Sequence, residues 1–196
     1  MPDIDMDLLV AKPLPDKCGY SWTLASRLGH MLQIAQERYG PRDPTYTILG
    51  YEFIDGVPQI WYPGNCGNIV IQLGLECLND MVQACYQLAH ECIHLLSPTG
   101  GSSSTVLEDG LAAYFASSYV RERLHTDIHP SMATYQVACS KVETLLNLDP
   151  CAIRNLRVQQ PIISLITAEL IKENYPTISA QVAASLVKKF DRDSGT

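Results

Sequence analysis

An α+β fold is predicted by two features of the chain: β-branched and aromatic runs flank an Asp55-Gly56 turn, and amphipathic stretches at helical spacing lie on either side of them. A first helix is expected over residues 20–38, where Trp22, Ala25, Leu28, Leu32 and Ala35 recur at helical spacing until Gly40-Pro41 stops the pattern. Strands are expected over 45–53 and 57–62, and Asp55-Gly56 between them signals an antiparallel hairpin. A further strand over 68–73 follows the Gly64-Asn65-Cys66-Gly67 turn, so that a small, mostly antiparallel sheet precedes the next helix.

That helix starts at Asn79 or Asp80, either of which can cap free backbone amides, and it must end before Pro98. Val82, Cys85, Ala89, Ile93 and Leu96 give it an apolar stripe, with His90 and His94 beside the stripe as at the edge of a cleft. Residues 97–105, rich in glycine and serine, read as a flexible connection to a second helix over 107–124. Further helical stretches follow. Residues 132–148 carry Tyr135, Cys139, Val142 and Leu145 at helical spacing, Pro161 opens an apolar segment through Ile171, and 178–190 forms a last amphipathic helix before a polar tail. These helices are expected to close the far side of the cleft.

Composition narrows the partners. With 196 residues, 46% of them hydrophobic, and no composition break, the chain reads as one domain over 1–196. A net charge of -7 argues against nucleic acid, and the nearest basic cluster, Lys188-Lys189, reads as a charge pair at a helix C-terminus. The acidic start over residues 1–7 lacks the pattern of a secretory signal, and no apolar run is long enough to span a bilayer, so no membrane partner is expected. Seven cysteines, an odd set without close pairing, suit free thiols in a reducing compartment, which favours the cytoplasm. Cys92 is expected to pack, since it turns away from the midpoint of the two histidines.

The chemistry is concentrated in His90-Glu91-Cys92-Ile93-His94. Two imidazoles four residues apart on a helix share one face and can grip a single metal ion, and Glu91 between them is placed to take a proton from water activated there. The pattern predicts one bound Zn2+ per chain, held by His90 and His94, with Glu91 as the general base. A third protein ligand is needed, and Glu108 and Asp109 at the start of the second helix are the candidates. Successive helical residues point about 100° apart, so one carboxylate is expected on the metal and the other facing solvent or supporting a ligand histidine.

Leu88-Ala89-His90-Glu91-Cys92-Ile93-His94-Leu95-Leu96, followed by Leu107-Glu108-Asp109-Gly110-Leu111-Ala112-Ala113-Tyr114-Phe115, resembles the two active-site helices of gluzincin metallopeptidases, the compact minigluzincins among them. The resemblance covers about a fifth of the chain and implies a zincin-like fold and a metallopeptidase acting on a peptide or protein substrate. It places the third ligand on Asp109, where the family usually carries glutamate; Glu108 has the longer reach. It also implies a substrate strand laid along the sheet edge and an oxyanion donor, Tyr or His, from the helical half. Tyr114, His125, His129 and Tyr135 are available, although Tyr114 is expected to pack and His125 and His129 to lie in a solvated loop before Pro130. His30 reads as a surface or boundary residue. Two other functions fit the same residues: an interaction module that has lost efficient metal binding, and a hydrolase of a non-peptide amide.

Overall fold

Capping and burial decide where the first helix runs in the computed structural model, which describes residues 4–100 and 104–192. Helix α1 (Leu24–Tyr39) begins at Leu24 because Thr23 and Ser26 form a reciprocal capping box. Its buried side is Leu24, Leu28, Met31, Ala35 and Tyr39, while Trp22 and Ala25, expected on the apolar stripe, are exposed.

Three strands follow: β1 (Thr47–Ile54), β2 (Gln59–Trp61) and β3 (Asn68–Gly74). The sheet is mixed and not mostly antiparallel, in the order β1-β3-β2, with β3 parallel to β1 and antiparallel to β2. The expected hairpin does not form, because β3 inserts between the two strands that Asp55-Gly56 connects. Ile69, Ile71 and Leu73 explain this placement: all three are fully buried, so β3 gains most from the central position. The connection also contains Val57-Pro58, and Pro58 has no N–H to donate across a tight hairpin. On the opposite face Gln59 donates to Gln72 at 2.9 Å and Gln72 to Glu52 at 2.7 Å, a polar ladder across all three strands.

Helix α2 (Met81–His94) is capped by Asp80, whose side chain accepts from the Gln83 N–H. It packs against α1, β3 and helix α3 (Val106–Leu124), so it is enclosed on more sides than a surface stripe requires. Cys85, Ala89, Cys92, Ile93 and Leu96 are buried as a stripe should be, and Cys92 packs as expected, but Gln87, His90 and Glu91 are buried too. Gln87 accepts from the Gly74 N–H at 2.9 Å and donates to Glu76 at 2.8 Å, tying the end of β3 to the middle of α2.

The remaining helices are α4 (Ala133–Leu148), α5 (Ala152–Gln159), α6 (Ala168–Asn174) and α7 (Ala180–Leu186). The sequence reading has no counterpart for α5. Pro161 lies beyond the end of α5 and opens a short 3-10 turn at Ile163–Leu165 before α6. Helix α7 stops at Leu186, well before Phe190, and Lys189 makes an isolated antiparallel bridge with Thr105. Lys188-Lys189 is therefore part of an extended strap and not a helix-terminal charge pair. One hydrophobic core draws residues from every helix and from β3. All seven cysteines are free. Among the described residues no helix is long and apolar enough to cross a membrane. Of the expected start, connection and tail, residues 1–3, 101–103 and 193–196 lie outside the described residues.

Candidate metal centre

Helix α2 supplies three of the predicted residues and α3 the other two. His90 and His94, one helical turn apart, bring their Nε2 atoms to 3.4 Å. Thr105 caps α3 by accepting from the Glu108 N–H, which places both acidic residues in the buried first turn, next to α2. They then diverge. Asp109 sends Oδ1 to 3.8 Å from His90 Nε2, whereas Glu108 Oε1 accepts from His94 Nδ1 at 2.9 Å.

His90, His94 and Asp109 thus offer three donor atoms, all within 4.8 Å of one another. Ligand atoms about 2.0–2.1 Å from a tetrahedral ion lie about 3.3 Å apart, so modest inward movement would seat Zn2+ among them. Asp109 is the residue most in need of a cation there. Its residue is 1% exposed, and Oδ1 is buried without a hydrogen-bond partner, while Oδ2 accepts from Ser104 Oγ. A buried acceptor left alone costs about 1–3 kcal/mol, and a cation at this point would satisfy it. The short aspartate side chain is sufficient because α3 lies close against α2.

Electrostatics separate the two histidines. Burial, reinforced by the charge of His94, holds His90 well below the usual imidazole range, which leaves it neutral. Burial also opposes charge on His94, but the hydrogen bond and charge of Glu108 overcome it and raise that pKa to about 9. Glu91 is buried and its carboxyl is pushed up to about 7, mainly by desolvation. A glutamate poised near neutrality can both accept and return a proton. Burial raises Asp109 as well.

Two cavities meet at this centre. One, of about 320 Å³, lies on the His90 side against Tyr86, Met132 and Tyr135; the other, of about 150 Å³, lies on the His94 side against Gln59, Ile60 and Asp109. Glu91 and Arg192 border both. The Tyr135 ring stands edge-on to His90 at 5.5 Å, and burial keeps its phenol protonated.

The other candidates fall elsewhere. His125 and His129 are exposed in the loop after α3, as expected, and Tyr114 packs against the core. His30 makes its hydrogen bond to the Tyr119 hydroxyl at 3.1 Å. Two residues at the site had no sequence signal. Ser104 reads as linker and Arg192 as polar tail, because their proximity to Asp109 and Glu91 comes from the strap that joins residues 188–190 to 104–106. Family models, curated proteins and solved structures were all compared with this chain, and none of them matches it.

Proposed function

We propose that this chain is a zinc-dependent hydrolase, a metallopeptidase of zincin-like fold in which His90, His94 and Asp109 are the metal ligands. The observation that carries the reading is the convergence of two imidazole nitrogens on a buried aspartate oxygen that has no other partner. Glu108 holds the Nδ1–H of His94 and so turns its Nε2 lone pair towards the ion. Ser104 occupies the second oxygen of Asp109 and leaves Oδ1 for the same purpose. When bound, zinc supplies Lewis acidity that polarises a scissile carbonyl and lowers the pKa of water towards neutrality.

The chain's own groups do the rest. Glu91 takes the proton from the attacking water and passes it to the leaving amine. Tyr135, a protonated phenol at the wall of the larger cavity, donates to the oxygen on which negative charge develops. Strand β2 pairs on one side only among the described residues, and Gln59 and Ile60 border the smaller cavity, so its outer edge suits an extended peptide added as a further strand.

The test combines metal content with cleavage of a peptide library. The wild type is expected to hold about one zinc per chain. Glu91→Gln should retain the metal while losing about 10²–10⁴-fold in rate. A chain that takes up no zinc even when it is supplied, or cleavage that survives Glu91→Gln, would refute the assignment.

A further inference from the structure

The guanidinium of Arg192 has a position in the site that the hydrolytic step leaves unused. It is the only lysine or arginine among the described residues bordering either cavity, and it borders both. Its charge is felt by His90, Glu91, Asp109 and Tyr135. Yet it forms no ion pair among the described residues, where Lys12–Asp7 and Arg38–Glu122 are the ion pairs made by lysine and arginine. Its location comes from the backbone. Val106 N–H donates to Lys188 O and Phe190 N–H to Ser104 O, each at 2.9 Å, and the Phe190 ring packs on Tyr135 at 4.7 Å. Thr134 then donates to the Arg192 carbonyl at 3.4 Å.

An exposed arginine that borders both cavities and makes no ion pair among the described residues presents a planar fork of donors to them, and that fork matches a carboxylate. The neighbouring cavity limits what accompanies the carboxylate. Val57, Pro58, Tyr86, Pro130 and Met132 give it largely apolar walls, and about 320 Å³ is at the small end of ligand pockets, suited to one side chain and not to a long segment.

We propose that Arg192 determines specificity by pairing with the free C-terminal carboxylate of a peptide whose last side chain is apolar and fills this cavity. The inference deepens the hydrolase reading and rests on it: the chain would remove a C-terminal apolar residue, with Glu91 between the cavity that holds that residue and the one that receives the rest of the peptide.

The experiment uses the full zinc-loaded chain and peptide pairs ending in phenylalanine, identical except for a free carboxylate or a carboxamide. Cleavage is measured for the wild type, Arg192→Met and Arg192→Lys, and equilibrium binding of the same peptides is measured on Glu91→Gln with and without Arg192→Met. The acid should be preferred about tenfold or more, through KM, as expected for a charge-assisted pair. Arg192→Met should bring the ratio to within about twofold, and Arg192→Lys should restore part of it. Cleavage of both peptides with a ratio that Arg192→Met leaves alone overturns the role of Arg192 and spares the hydrolase. Binding that prefers the acid through Arg192, without cleavage by the wild type, keeps the carboxylate site and overturns the hydrolase. Neither binding preference nor cleavage overturns both.

Discussion

At the scale of single residues, the contact between Glu108 and His94 sets how the metal-free centre responds to pH. His94 titrates at about 9 in the folded chain against an ordinary value of 6.5, because Glu108 outweighs the burial that disfavours its charge. A group whose pKa rises on folding contributes stability that is complete below its unfolded pKa and is lost as pH climbs through the folded one. The metal-free wild type should therefore lose urea resistance between pH 6.5 and 9, and Glu108→Gln should flatten that decline. An equal slope in both proteins would remove Glu108 as the cause. The same substitution removes the acceptor that orients His94, so zinc affinity measured against a competing chelator should fall about 10–100-fold. Asp109→Ala, which deletes a proposed ligand, should weaken zinc by more than Glu108→Gln does. A reversed ranking would favour Glu108 over Asp109 as the third ligand.

At the scale of elements, Gly110 shows how closely the helices must meet for the site to form. A Cβ at Gly110 would stand 2.5 Å from the Ala138 carbonyl oxygen and 2.8 Å from a Val142 methyl, so α3 and α4 touch where Asp109 leaves its helix. Gly110→Ala would gain about 1 kcal/mol of helix propensity but lose about 1–3 kcal/mol to the clash, and a net loss of stability is expected. A higher urea midpoint for the alanine variant would show that the helices can separate without cost. Elements defined by local signals were legible in the sequence, and those defined by distant ones were not. Asp80 before α2, the histidine spacing and the acidic pair opening α3 are all neighbours along the chain. Asp55-Gly56 is a genuine turn signal as well, but which strand pairs with which depends on the burial of Ile69, Ile71 and Leu73, and no local pattern reports that. Helix α5 was missed because Ala152, Ile153 and Leu156 make only a short stripe between polar residues. Arg192 and Ser104 were missed because the strap that brings them together joins Thr105 to Lys189, residues far apart in the chain.

For the molecule as a whole, Arg157 holds together regions far apart in sequence, without a carboxylate partner among the described residues. Its guanidinium donates to the carbonyls of Tyr39 at 2.9 Å, Gly40 at 3.0 Å, Pro41 at 2.8 Å, Leu96 at 3.1 Å and Pro161 at 3.0 Å. These carbonyls close α1, follow the end of α2 and follow α5, so one cation fixes three helix exits. Helix C-termini carry partial negative charge and unpaired carbonyls, and a buried arginine with five N–H donors answers both needs. Burial draws its pKa down, but arginine remains charged at neutral pH. Gly40 makes room for it: with φ of 97° it occupies a conformation that suits glycine, and a Cβ there would come within 3.3 Å of the guanidinium. Arg157→Met keeps the apolar stem but strands several carbonyls in the interior, so a loss of about 3 kcal/mol or more is expected from urea unfolding. Arg157→Lys should recover only part of that loss, since an ammonium has three donors and no fixed fork. The effect should also reach the proposed metal centre, because Leu96 follows His94 by half a turn and loosening that exit frees the end of α2 that carries His90 and His94. Zinc affinity in Arg157→Lys should therefore fall while the helix content seen by circular dichroism is kept. Stability within about 0.5 kcal/mol of the wild type in Arg157→Met would mean that water serves these carbonyls as well as the arginine does.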